Sequence, residues 1–377
     1  MTPAADPIQT SLRAVAAWGL PAEREIELPR DPQGQALLAD LLQQSRLIGP
    51  LLAAAATGDV ELSEELEADL VERQHRALLW CIHLETRLLE AREWFDAAGG
   101  VRHLVIKGPA IAYLDALDPS IRTFADIDLL VAEPDMDRAV GILDARGASP
   151  PWAQRRPGFD RRFAKSTTRT FEDGVEFDVH RTLASGAHGH RIPVAELFEA
   201  PDRFDIGGVS FEALKPSHRM LHSAYHLLLG SPEPALMNLR DLGCYLADAD
   251  LGPEAVVPVA QRWRGTAVLA MAIDLLENRL GVCPPQWSAW RASYDLDPAE
   301  VTLIERHRRE GSSFGRAKLD VVRELPTVRD RAAYLTALAW PTREHLESRS
   351  LRRRDALSSL AGVALPRRLR THRSPGS

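Results

Sequence analysis

The sequence predicts an α+β protein in which a small mixed α/β core sits between N- and C-terminal helical regions. Three observations carry this. Apolar residues recur at helical spacing before residue 100 and again after about residue 216. Between these stretches the period drops to two, in short runs rich in Val, Ile and Phe. Glycine and proline mark each change of period. A chain of 377 residues is long enough for two or three domains with a sizeable core.

Residues 1–34 mix Pro, Asp and Arg and, apart from a short helical stretch near 11–18, read as a loose N-terminal arm. Residues 35–99 form an N-terminal helical region. Leu37, Leu38, Leu41, Leu42, Ile48 and Leu51 mark one or two helices interrupted at Gly49-Pro50. A longer helix follows Ser63; its first turn holds Glu64, Glu65 and Glu67, which suit the positive end of the helix dipole. Its stripe is Leu66, Leu70, Ala77, Cys81, Leu84 and Leu88, and Gly99-Gly100 ends it.

The core covers residues 100–212. Residues 103–106 form a β-type run, and Lys107-Gly108-Pro109 opens a helical stretch through Tyr113. A second β run, 127–131, carries Asp126 and Asp128 at its start and leads to a helix over 134–146 closed by Gly147. Residues 168–172 and 175–180 alternate around Asp173-Gly174, a two-residue hairpin signal. Residues 213–350 read as a C-terminal helical domain, with helices over 219–229, 235–247, 258–280 and 299–309. Residues 351–377 form an Arg-rich tail with seven Arg and one Asp.

A formal charge of −7 argues against a duplex-DNA partner, which needs a broad basic face. Lysine occurs only at 107, 165, 215 and 318, so arginine supplies nearly all of the 46 positive side chains. Cys81, Cys244 and Cys283 are odd in number and far apart, which suits a reducing compartment without a zinc or disulfide framework. The first twenty residues lack an export signal, and no apolar run of about 18 residues occurs, so a cytoplasmic protein without a membrane partner is expected.

Chemistry concentrates on three acids. Period two places Asp126 and Asp128 on one side of a strand, and Asp178 stands on a later strand with Glu176 two residues before it. Like charges so close on a half-buried strand repel, and a divalent cation relieves the repulsion. Oxygen donors suit Mg²⁺ or Mn²⁺, which complete their shells with phosphate oxygens, whereas two acids facing solvent at a strand end are the plain alternative. Upstream, Lys107-Gly108 joins a strand to a helix, a place where backbone N–H groups and an ammonium can meet phosphate. His218, His222 and His226 share a helical face and read as a polar stripe or satisfied core; His188 and His190 read as an exposed loop.

The run 105–113, then 119–122, then 126–131, then 175–180 resembles the uncharacterised bacterial nucleotidyltransferases of the polymerase-β-like superfamily. The resemblance extends over roughly residues 37–290, including His222 to His226 and Arg240-Asp241. It implies a minimal nucleotidyltransferase α/β core flanked by helices, using NTP with Mg²⁺ or Mn²⁺. It implies that Asp126, Asp128 and Asp178 are catalytic and hold metal, that Asp178 or its neighbour Glu176 serves the acceptor, and that Lys107, Gly108 and Arg122 bind nucleotide. The wider superfamily writes the phosphate turn Gly-Gly or Gly-Ser, whereas this chain has Lys107-Gly108-Pro109, with Lys107 in place of the serine contact. The acceptor stays open among a small molecule, a peptide or protein, and tRNA. A nucleotide-binding module without turnover and a toxin-like tRNA-modifying enzyme are the alternatives.

Overall fold

Alternate residues along 127–131 and 176–180 go to opposite sides of one sheet, and that alternation layers the molecule. The computed structural model describes residues 6–22, 25–310 and 316–350; the Arg-rich tail lies outside the described residues. Four helices lead in: α1 (Pro7–Ala17), α2 (Pro32–Ser45), α3 (Ile48–Ala56) and α4 (Glu64–Ala97). The core region then runs β1 (His103–Val105), α5 (Pro109–Leu114), β2 (Ile127–Val131), α6 (Met136–Ala145), α7 (Phe159–Phe163), β3 (Ser166–Thr170), β4 (Glu176–His180), α8 (Gly186–Arg191), β5 (Asp202–Ile206) and β6 (Val209–Ala213). Nine helices follow among the described residues: α9 (Pro216–Leu229), α10 (Leu236–Ala247), α11 (Pro253–Arg262), α12 (Thr266–Leu280), α13 (Pro285–Ser293), α14 (Pro298–Glu310), α15 (Arg316–Glu324), α16 (Val328–Ala339) and α17 (Arg343–Ser348).

The six strands make one mixed sheet in the order β3-β4-β2-β1-β6-β5. β2 runs parallel to β4 and antiparallel to β1; β3–β4 and β5–β6 are hairpins. One face carries Ile127, Leu129, Val131, Phe177 and Val179 into a core shared with Leu84, Leu88 and Phe95 of α4 and Met136 and Leu143 of α6. On β2 and β4 the opposite face presents Asp128, Leu130, Asp178 and His180. Leu104, Ile106 and Leu130 join a second, larger core built from α1–α3 and α9–α12. The α+β class and the helical flanks expected from the sequence are what the structure has.

Several elements depart from expectation. The N-terminal arm is no loose segment over 7–17: α1 is capped by Asp6 and buries Leu12, Val15 and Ala16 completely or nearly so. The helix expected over 258–280 is broken into α11 and α12 at Trp263–Gly265. Arg264 takes a positive φ there, and a Cβ on Gly265 would fall 1.9 Å from the Tyr225 hydroxyl. The β5–β6 hairpin turns at Gly207-Gly208, both with positive φ, a signal present between Ile206 and Val209.

Two buried ion networks tie the sheet to the helical domain. Arg122, just before β2, makes a bidentate pair with Asp241 of α10 at 2.9 Å on both arms. Arg219 of α9 binds Asp115 at the end of α5, Asp202 of β5 and the Leu214 carbonyl, and Tyr245 also donates to Asp115. Forked guanidinium–carboxylate contacts of this kind fix orientation as well as distance.

Candidate active site

The parallel pairing of β2 and β4 sets Asp128 beside Asp178 and Leu130 beside His180. Asp128 is buried; its Oδ1 accepts from Lys107 Nζ at 2.7 Å and faces His180 Nε2 at 2.7 Å, while its buried Oδ2 has no partner. Asp178 accepts a hydrogen bond from Thr168 on β3, and its Oδ2 stands 4.0 Å from His180 Nε2. One donor atom from each of Asp128, Asp178 and His180 lies within 4.8 Å of the others. Asp126 precedes the strand and lines a cavity of about 520 Å³ together with Asp128, Lys107 and Gly108. Glu176 stays exposed at the start of β4, opposite Thr170, and is not part of the cluster.

Charge decides what this cluster can do. Burial works against the charge on Asp128, but the Lys107 ammonium and the contact with His180 hold its carboxyl well below the usual carboxylate range. Asp126 is pushed the other way, by burial first and then by the neighbouring Asp128 charge. Burial also lowers His180, against the pull of Asp128, so its imidazole is neutral near pH 7. A neutral imidazole has one N–H, yet His180 faces two acceptors, Asp128 Oδ1 at Nε2 and the Thr182 carbonyl 3.3 Å from Nδ1. Were His180 to serve as a ligand to a divalent cation, with Asp128 and Asp178, that conflict would be removed and Nδ1–H would be left for the backbone, the usual support of a metal-binding histidine. The unpartnered Asp128 Oδ2 supplies a further lone pair, so the donor set fits a divalent metal.

The turn ahead of the site is equally specific. Gly108 has φ 44° and ψ −108°, and a Cβ there would sit 3.3 Å from the Asp126 carbonyl. Gly108→Ala is therefore expected to cost about 1–3 kcal/mol through backbone strain and to shift the turn against Asp126. A lowered denaturation midpoint together with weakened NTP binding checks this; unchanged binding would remove the turn from the site.

Of the predicted residues, Asp126, Asp128, Lys107, Gly108 and Arg122 line one cavity, and Asp178 joins Asp128 through the strand pairing. Arg122 differs from the expected phosphate clamp: its guanidinium is already engaged by Asp241. Arg46 lines the same cavity and makes no ion pair among the described residues. It caps α2 in the left-handed conformation, φ 57°, which a non-glycine residue adopts at a cost. That strain has no trace in the sequence pattern. His180 was legible as a neighbour of Asp178 on one strand face; Lys165, next to β3, was marked only by the rarity of lysine. Burial lowers Lys165, with Lys107 adding to the effect, while Asp128, Asp178 and Asp126 oppose it, so it stands within the field of the cluster.

The histidines separate. His222 and His226 line the cavity, whereas His218 packs on Trp263 with ring centroids 5.4 Å apart. His188 is no loop residue: it is fully buried in α8.

The site thus stands on a mixed sheet that pairs Asp128 with Asp178 on one face and carries the Lys107-Gly108 turn after its interior strand β1. The family described as uncharacterised nucleotidyltransferase matches residues 31–281, and the chain belongs to that family. No curated protein matches the chain, and no solved structure does.

Proposed function

We propose that this chain is a metal-dependent nucleotidyltransferase that moves an NMP group from an NTP to an acceptor hydroxyl or similar nucleophile, releasing pyrophosphate. The observation that carries the reading is the convergence of Asp128, Asp178 and His180 beside the Lys107-Gly108 turn. Asp126, Asp128, Asp178 and His180 are the groups that would hold Mg²⁺ or Mn²⁺, and the nitrogen donor favours Mn²⁺. Such a metal neutralises phosphate charge and lowers the pKa of a bound hydroxyl.

The chain's own residues do the rest. Lys107 meets phosphate charge, and in its absence serves as the counter-ion of Asp128. Arg46 adds a second cation, Gly108 lets the backbone approach the phosphates, and Arg122 positions the turn into β2 through Asp241. Asp178 takes the proton of the attacking hydroxyl; the new O–P bond forms at the α-phosphorus as its bond to the bridging oxygen breaks, and pyrophosphate leaves with that electron pair. His222 and His226, neutral because of burial, bound the pocket without adding charge. No helix among the described residues is long and apolar enough to cross a membrane; a cytoplasmic setting is part of the proposal.

Lys107 already pairs with Asp128, and that contact favours the second reading, a metal-free nucleotide-binding module. Thermal denaturation with each NTP separates the two. With Mn²⁺ or Mg²⁺ at about 100-fold saturation of the site, the midpoint should rise by on the order of 5 °C, because ligand binds only the folded state. EDTA should remove the shift. An equal shift in EDTA would favour the binding module.

A further inference from the structure

Asp126 and Asp128 line one cavity, and Asp178 adjoins a second through Thr168. The first, already described, carries the Lys107-Gly108 turn. The second, about 670 Å³, lies against β3 and is walled by α7, α15, α16, α17 and the segment 150–155. β3 is the link: Thr168 lines the second cavity and donates to Asp178, and Lys165, just before β3, lines it too. Asp178 is thus the carboxylate reached from the β3 side.

The lining has a definite chemistry. Arg155, Lys165, Lys318 and Arg349 line it together with one acid, Asp160, and Lys165 and Arg349 are the cations it offers to a ligand. Aromatic surface accompanies it. Trp152 is half-exposed, with the Arg349 guanidinium 4.1 Å from its ring centroid, and Tyr334 stacks with Phe159 at the other wall. The wall is held by backbone contacts rather than left as a loose loop: the Thr342 amide donates to the Arg155 carbonyl at 2.8 Å, His345 Nδ1 bonds the Ala153 carbonyl at 2.8 Å, and Ser348 accepts from the Ala153 amide.

Resting on the nucleotidyl-transfer reading above, we propose that this second cavity is the acceptor site and that its acceptor is a ribonucleotide, free or at the end of a single strand of RNA. Aromatic faces stack on a base, and guanidinium and ammonium groups meet its phosphate. A cavity of this size holds a single nucleotide, as small-ligand pockets of roughly 300–1,000 Å³ do. The charge disfavours polycationic acceptors such as amino sugars and polyamines. The ribose hydroxyl then approaches Asp178 from the β3 side, gives it the proton, and attacks the α-phosphorus of an NTP held in the Lys107 cavity, with pyrophosphate leaving.

The test uses the full chain, Mn²⁺ and a saturating NTP analogue that cannot release pyrophosphate, so that the Lys107 cavity is filled. Binding of labelled AMP and of a labelled twelve-nucleotide single-stranded RNA is measured by equilibrium dialysis, with spermine as the cationic control. At least one ribonucleotide probe should bind, and Trp152→Ala and Arg349→Glu should each weaken it by tenfold or more while the metal-dependent NTP thermal shift stays at the wild-type value. A preference for AMP identifies a free nucleotide and a preference for the oligonucleotide an RNA end. Binding that both variants leave unchanged, binding lost whenever the NTP analogue is present, or stronger binding of spermine would each overturn the assignment. If the NTP shift itself fails in the wild type, the nucleotidyl-transfer reading falls, and the acceptor role falls with it even where Trp152-dependent ribonucleotide binding remains. Because both variants sit at the surface end of the wall, unaltered denaturation midpoints without ligand exclude misfolding as the cause of any loss.

Discussion

Asp128→Asn should abolish the metal-dependent NTP shift and lower nucleotidyl transfer by on the order of 10³-fold or more, within or above the usual range for losing one positioned acid–base group. Asp128 is the point where the site's charges meet. It takes the Lys107 ammonium and faces His180 through one oxygen, and its other oxygen is unpartnered. The amide keeps the shape but cannot balance Lys107, and removing one member of a buried pair costs about 3–5 kcal/mol. A fall in stability alone would therefore prove little. Lys107→Met placed on top of Asp128→Asn removes the unpaired ammonium and should recover most of the lost stability without recovering metal-dependent binding. Asp178→Asn gives the contrasting pattern: NTP binding largely kept, transfer cut by about 10²-fold. If Asp128→Asn retains the metal-dependent shift, the metal assignment at β2 is wrong.

Stability should begin to fall below about pH 6.5, well above the carboxylate range, because several histidines are buried in neutral form. Burial pushes His188, His218 and His226 down to about 3, with nearby cations adding to the effect. Neither ring nitrogen of His188 or His218 has a hydrogen-bond partner, so nothing in the folded state compensates a proton there. The folded pKa lies below the unfolded one. Between them the unfolded chain binds more protons, so unfolding free energy rises with pH and is lost as pH falls from about 6.5 towards 3. Each such group contributes up to roughly 1.4 kcal/mol per pH unit within that window. Urea unfolding at pH 7.0 and pH 5.5 reads the slope, and His218→Phe, which keeps an aromatic ring against Trp263, should make it shallower. A midpoint that stays level down to pH 4.5 would contradict the neutral, buried assignment.

Much of the sheet was legible because its strands are short and strictly periodic. The run 127–131 is β2, and Asp173-Gly174 sits in the turn between β3 and β4. The acid pair was legible for the same reason, since period two fixes the faces of Asp128 and Asp178 once their strands pair. Sequence spacing could not supply the pairing itself. Only the parallel register makes Asp128 a neighbour of Asp178, brings His180 to its oxygen and leaves Asp126 outside the tightest donor set. Arg122 reads in the sequence as a nucleotide-binding arginine, and nothing there signals its partner Asp241, 119 residues away. Arg46 was invisible for another reason: nothing in a helix-ending Arg announces a left-handed backbone. The break between α11 and α12 depended on a long-range close approach, the Tyr225 hydroxyl against Gly265, which local periodicity does not encode.

The segment shared across the family and the segment that folds have different edges. The family match begins at residue 31, yet α1 ends fourteen residues earlier, at Ala17, and packs on α10 and α12 with Leu12 and Val15 in the common core. Arg240 of α10 donates to the carbonyls of Ala16 and Trp18, and its neighbour Asp241 holds Arg122 at the cavity wall. An element outside the inherited module therefore braces the helix on which a cavity residue depends. A change at the amino end of this chain thus has a route to the cavity, through Arg240 and Asp241, that alters no residue lining it.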